Sequence, residues 1–205
     1  YTTETSAIMN KKLEEYTLNG GLPESYKYGK PILKSIFSDI VIKDILRRHN
    51  IKQGVIEGLA KYLISNFSSE FTFNKLKNIF NIKKIQTIKN YVRHLENAYL
   101  IIVLERFSFK LKNQIIAPKK LYCIDTGLIN AISFGSSENK GKFFENIVCV
   151  ELLRRKSYNY DNYEVYYWKN AQQEEIDFVI KEDKKVKKLI QVCYSHSNLK
   201  TKERE

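Results

Sequence analysis

The chain has 205 residues, enough for one large domain or two small ones, and its 43% hydrophobic content supplies each with a core. No apolar run approaches the roughly 20 residues that span a bilayer, and no signal peptide is visible, so no membrane partner is expected. The net charge of +12 suits a polyanion such as DNA, but lysine supplies 28 of the 35 basic residues, a bias that A+T-rich coding also produces, so charge alone decides nothing.

Three widely spaced cysteines, Cys123, Cys149 and Cys193, lie in apolar surroundings and point to a reducing, cytoplasmic location. His49, His94 and His196 form no cluster with them, which argues against structural zinc. The chain begins at Tyr1 rather than methionine, so a processed chain or a piece of a longer one is expected.

Residues 1–49 read as helical. Met9, Leu13 and Tyr16 have helical spacing, Asn19-Gly20-Gly21-Leu22-Pro23 is a break, and a second helix after Pro31 carries Ile36, Phe37, Ile40, Val41 and Ile45, with Arg47-Arg48 near its C-terminus. From 50 to 114 the pattern is tighter. A helix with Val55, Ile56, Leu59, Ala60 and Leu63 precedes a short one bearing Phe73, Leu76 and Phe80, for which Thr72 is the N-cap.

The next helix, 84–99, carries Ile85, Ile88, Val92, Leu95 and Tyr99 on one stripe. Its remaining faces present Lys83, Lys84, Gln86, Thr87, Lys89, Asn90 and Arg93, residue types that contact phosphates and base edges. Most amphipathic helices merely solvate such a face. Here the short preceding helix, and the lack of any acid between Phe71 and Leu95, favour DNA contact. Leu100–Phe109 and the run ending at Cys123 read as two strands around a Lys110–Asn113 turn, which completes a winged helix-turn-helix.

Residues 115–205 read as a nuclease-type α/β domain. Gly141 opens a helix from 142 to 156 on which Glu145 shares the inward stripe with Val148, Cys149 and Leu152, and strands are expected at 163–169, 175–181 and 186–194. Alternation in the second strand puts Glu175 and Asp177 on one side. Carboxylates on a helix and a neighbouring strand, Glu145 and Asp177, are what a magnesium ion needs. The third strand offers Gln191 and Cys193 where an acid and a lysine would be useful, and neither is equivalent. The acids equally fit structural roles, Glu145 at the start of its helix and the strand pair in local hydrogen bonds.

In order, the chain contains Gly20-Gly21-Leu22-Pro23-Glu24, Asp39-Ile40 with Arg47, Thr87-Ile88-Lys89-Asn90-Tyr91 with Leu95-Glu96, and Asp125-Thr126-Gly127-Leu128. Gly141 with Glu145-Asn146, Glu175-Ile176-Asp177-Phe178-Val179 and Gln191-Val192 follow. This set, spread over nearly all of the chain, resembles the C-terminal region of prokaryotic, often archaeal, AAA-type P-loop ATPases that end in a domain of unknown function.

The resemblance implies a mixed α and α/β fold: a helical tail of an ATPase lid (1–49), a winged helix-turn-helix (50–114) and a restriction-endonuclease-like domain of the PD-(D/E)xK class (115–205), with a further helix and strand normally added at the end. In that class Glu145 would be the helix acid, Asp177 the metal-binding aspartate, and Gln191 with Cys193 the degenerate last motif. ATP would enter only through an upstream domain, since no G-x-x-x-x-G-K-[ST] run occurs in these residues. The expected function is a DNA-associated module of such an ATPase with weak or lost cleavage. An active metal-dependent endonuclease and a non-enzymatic interaction module are the alternatives.

Overall fold

The computed structural model describes residues 2–49, 51, 53–133, 139–159 and 162–193. Four helical segments come first: α1 (Thr3–Asn19), α2 (Pro23–Tyr28), α3 (Lys30–Asp39) and, continuing α3, a π-helix over Ile40–Leu46. Then follow α4 (Gln53–Ser65), β1 (Ser69–Phe71), α5 (Phe73–Ile79), α6 (Ile85–Asn97), β2 (Ile101–Glu105), α7 (Leu111–Ile116) and β3 (Lys119–Cys123). The last elements among the described residues are α8 (Thr126–Ile132), α9 (Lys140–Tyr158) and the strands β4 (Tyr163–Lys169), β5 (Glu175–Glu182) and β6 (Lys185–Ile190). Among the described residues the architecture is mixed α and β, with two three-stranded antiparallel sheets ordered β1-β3-β2 and β4-β5-β6. Among the described residues no helix is long and apolar enough to cross a membrane.

Local chemistry accounts for the elements of the middle segment. Thr72 caps α5, its hydroxyl accepting the Lys75 amide at 3.2 Å. In α6 the stripe Ile88, Val92 and Leu95 is buried, each side chain contributing about 1.5–3 kcal/mol by leaving water. Two expectations need correction. The turn expected at Lys110–Asn113 runs into the short helix α7, and the strand after it, β3, is confined to five residues. The third strand of the last sheet ends at Ile190 rather than reaching Tyr194, which lies outside the described residues.

β3 divides the protein's two cores. All five of its residues are buried. Alternation sends Leu121 and Cys123 into a large core with Leu33, Phe37, Ile56, Leu59 and the stripe of α6, and sends Tyr122 into a smaller one with Leu104, Cys149, Tyr167 and Phe178. The central strand of the first sheet is therefore taken from residues 119–123, beyond position 114. A register shift in β4 between Tyr166 and Trp168 joins the sheets: Tyr167 bridges Arg106, and its carbonyl accepts the Phe107 amide at 2.6 Å.

Two glycine motifs form one latch. Gly20 has φ of 77°, and the following amide, Gly21, donates to Asp125 Oδ2 at 2.6 Å while Asp125 Oδ1 accepts the Leu128 amide and caps α8. Thr126 Oγ1 and Asn130 Nδ2 donate to the carbonyls of Tyr16 and Thr17, so the C-terminal end of α1 is held by the start of α8. A Cβ on Gly20 would stand 2.1 Å from Asp125 Oδ1. Gly20→Ala is expected to cost about 2 kcal/mol or more, since that backbone region is essentially reserved for glycine. Urea unfolding measures this, and a variant as stable as the parent would contradict the latch.

Candidate functional site

Helix α9 and strands β3 and β5 bring four charged side chains to one point. Asn146 sets the approach of α9. It is fully buried, its Oδ1 accepts the Cys123 amide at 2.8 Å, and its Nδ2 donates to the Cys123 carbonyl at 2.8 Å, so the amide side chain stands in for a strand partner of β3. One residue earlier, Glu145 then faces the Lys120–Tyr122 side of β3. The Lys120 ammonium is 2.7 Å from Glu145 Oε1, pairs with Glu175 Oε1, and lies 3.6 Å from Asp177 Oδ1. Glu145 and Asp177, expected to converge, do so around this lysine.

Further groups bind the acids of the cluster. Tyr122 donates to Glu145 Oε1 at 2.7 Å, and the Val192 amide donates to Asp177 Oδ2 at 2.8 Å. Glu175 has a second cation, Lys169, 3.3 Å from its Oε2, and Lys169 also pairs with Glu70 at 3.0 Å. The Tyr167 hydroxyl is 2.8 Å from Glu70 Oε1 and 2.7 Å from the Pro118 carbonyl, and its single proton can serve one of them at a time.

Burial governs the ionisation of the cluster. Lys120 has only 4% of its side chain exposed, which alone would lower its pKa. The charge and hydrogen bonds of Glu145 and Glu175 outweigh that and hold it above its ordinary value. Burial also raises Glu145 and Asp177, and Lys120 only partly offsets it. Glu175 goes the other way: burial opposes its ionisation, but Lys120 and Lys169 together keep its pKa below the usual carboxylate range. A lysine is thus the counter-ion of three acids.

A magnesium ion at Glu145 and Asp177 would have to share them with the Lys120 ammonium, since Glu145 Oε1 already meets Lys120 and the Tyr122 hydroxyl and Asp177 Oδ2 accepts the Val192 amide. Among the described residues no group of three His, Cys, Asp or Glu is set to hold a metal. Gln191 lies beyond the end of β6, exposed to solvent, while its neighbour Val192 supplies the amide to Asp177. Cys193 is half-buried and is found on the wall of a groove beside α1. Lys120 is the residue the sequence reading missed. Its signal was present, because alternation through Lys119-Lys120-Leu121-Tyr122-Cys123 puts Lys120 and Tyr122 on the face opposite two core residues.

The second candidate is the outer face of α6. Lys83, Lys84, Gln86, Lys89 and Arg93 are exposed, and Thr87 and Asn90 partly so. Asn90 Oδ1 accepts Gln86 Nε2 at 3.1 Å and Arg93 at 3.4 Å, which lines these three side chains along the helix. Lys89 rests 5.5 Å above the Phe73 ring of α5. The acid of this helix is Glu96, at its far end, where it accepts the Val103 amide.

Burial pushes Glu96 up, the Val103 amide pulls it back, and the Glu105 charge adds to the rise, leaving its pKa at about 7. Between its ordinary 4.5 and about 7 the folded protein holds a proton that the unfolded chain has lost, so stability falls as pH rises through that window. Glu96→Gln should flatten this part of the stability–pH curve, followed by thermal unfolding. An unchanged slope would contradict the assignment.

Residues 10–139 match a family described as a domain of unknown function, DUF8612, and residues 140–204 match a second, DUF4143. An uncharacterized protein of Methanocaldococcus jannaschii is 38% identical in an alignment covering all of this chain and 46% of the relative. An uncharacterized protein of Haemophilus influenzae is 28% identical over 73% of this chain and 40% of its own length. The chain thus spans less than half the length of these relatives. No solved structure matches it significantly. By the match over most of its length, the chain belongs to the DUF8612 family, with a DUF4143 region following.

Proposed function

We propose that the chain is the DNA-associated C-terminal module of a AAA-type ATPase, in which α6 contacts DNA and the nuclease-like part has lost cleavage. The observation that carries this reading is the exposed, acid-free, basic face of α6 in a unit ordered α4-β1-α5-α6-β2-α7-β3 with sheet order β1-β3-β2. Apart from α7, that order supports the winged helix-turn-helix reading, in which α6 is the recognition helix. The 46% and 40% coverage of the relatives leaves room in such proteins for a nucleotide-binding part outside these residues.

Lost cleavage is supported by Gln191, which is exposed and stands apart from Glu145 and Asp177, and by the engagement of both acids with Lys120. The active-endonuclease reading draws on the same convergence, because three acids and a lysine are the groups such a reaction uses. Two assays decide. Fluorescence anisotropy with duplex DNA should give binding that weakens steeply with salt; no binding at low salt would end the DNA reading. Incubation with magnesium or manganese should leave supercoiled DNA intact, whereas nicking that disappears in Asp177→Ala would establish the endonuclease.

A further inference from the structure

Two histidines from distant parts of the chain meet beside α6. The rings of His49 and His94 are stacked, with centroids 3.6 Å apart and planes at 24°. Both rings stand on fixed supports. The His49 amide donates to the Ile45 carbonyl at 3.0 Å and the Arg47 amide to the Ile42 carbonyl at 3.1 Å, so residues 47–49 are bonded to the end of the π-helix. Ile45 lies in the same core as Val92 and Leu95, the buried stripe of the helix that carries His94.

The pair is partly exposed and stands among cations. Arg47, Arg48 and Arg93 are exposed, and Arg48 is only loosely engaged, 3.5 Å from Asp44. His94 follows Arg93 and is four residues past Asn90, so it sits on the flank of the outer face of α6. Burial holds the His94 pKa below its ordinary 6.5, and the nearby His49 and Arg93 lower it further; among the described residues no acid acts on it. Neither imidazole makes a side-chain hydrogen bond among the described residues, so each keeps a ring N–H for a ligand. Neutral rings can stack as these do, but protonating both puts like charges 3.6 Å apart beside a guanidinium. An anion at the pair removes that penalty, and a backbone phosphate is the anion that the DNA reading of α6 brings to this flank.

We infer that His49 and His94, with Arg93, form a phosphate-binding clamp beside α6 that takes up protons as it receives a backbone phosphate of the duplex. The inference rests on the DNA reading of α6 and adds to it a pH-dependent contact supplied by the helical segment that precedes the winged unit. The sign follows from linkage. A bound phosphate favours the imidazolium form, so His94 is more basic in the complex than in the free chain. Affinity therefore rises as pH falls from the bound pKa to the free one, and levels off below it.

Anisotropy titrations of the 205-residue chain with duplex DNA at fixed salt should give binding about tenfold tighter at about pH 6 than at about pH 8. His49→Gln with His94→Gln should bind within about twofold of the parent at the higher pH and lose most of the gain at the lower. Glu96 titrates in the same window, with a pKa of about 7, but lies two residues further on and so on the opposite side of α6, where it accepts the Val103 amide. Glu96→Gln should therefore keep the gain. In the parent itself, NMR titration of the His94 ring should show its pKa raised by the duplex and unmoved by inorganic phosphate at equal ionic strength. DNA binding that ignores pH, a double variant with the parent's gain, loss of the gain in Glu96→Gln, or an unmoved His94 in the complex would each overturn the clamp and leave the DNA reading intact. An equal rise with inorganic phosphate would assign the site to a free anion and overturn the duplex contact. A parent that binds no DNA at low salt would overturn both readings.

Discussion

Replacing Lys120 with methionine should cost about 3–5 kcal/mol of stability at neutral pH, because it leaves buried carboxylates without their counter-ion. The side chains concerned are 4%, 12%, 25% and 9% exposed for Lys120, Glu145, Glu175 and Asp177, so water screens the pairs poorly. The pH dependence follows from the same geometry. Without the ammonium, Glu145 and Asp177 are shifted further upward, so the folded variant binds protons that the unfolded chain releases. Its stability then falls as pH rises above the ordinary carboxylate range, and the deficit against the parent grows. At acid pH the acids are neutral and the deficit shrinks. Glu145→Gln in the same background should recover part of the loss, because the two sites share one interaction. Urea unfolding across this range measures all three effects. A deficit below about 1 kcal/mol, the value of a surface pair, would show that the cluster is not the ionic core described.

Reversing two charges on α6, Lys89→Glu with Arg93→Glu, should weaken DNA binding by about 100-fold or more at moderate salt, since favourable phosphate contacts become repulsive. Both residues are exposed, and the buried stripe Ile88, Val92 and Leu95 is untouched. The loss of the Lys89–Phe73 contact should change stability by about 0.5–1 kcal/mol at most. Binding and folding are therefore separable in this variant. Full DNA affinity with both charges reversed would remove α6 from the interface.

Periodicity made much of the fold legible. The Thr72 cap of α5 and the alternation Glu175-Asp177 in β5 depend on neighbours within a few residues and stand as read, whereas the stripe of α6 is buried only at Ile88, Val92 and Leu95, with Ile85 and Tyr99 at its ends exposed. The three-residue strand β1 was not legible, because its residues gain strand geometry from pairing with β3 about 50 positions later. The helix α7 interrupts a connection whose polar start reads as a turn.

The site was legible in halves. Glu145 and Asp177 were identified by their apolar neighbours, but the cation between them comes from a strand across the sheet junction. The absence of lysine at 193 therefore did not mean absence of a lysine at the acids. The motifs Gly20-Gly21 and Asp125-Thr126-Gly127 read as separate features and prove to be two sides of one latch, a relation that spacing of 104 residues conceals. Asn146 likewise has no local signature; its role depends on the backbone of Cys123.

The salt dependence of DNA binding bears most directly on the role of α6. The logarithm of the association constant, plotted against the logarithm of salt concentration, should fall linearly for the parent. In the neutralised variant Lys89→Gln with Arg93→Gln the slope should be shallower by about 1.8, or about 0.9 for each phosphate contact removed. Equal slopes for the two proteins, or no measurable binding by the parent at low salt, would contradict the account.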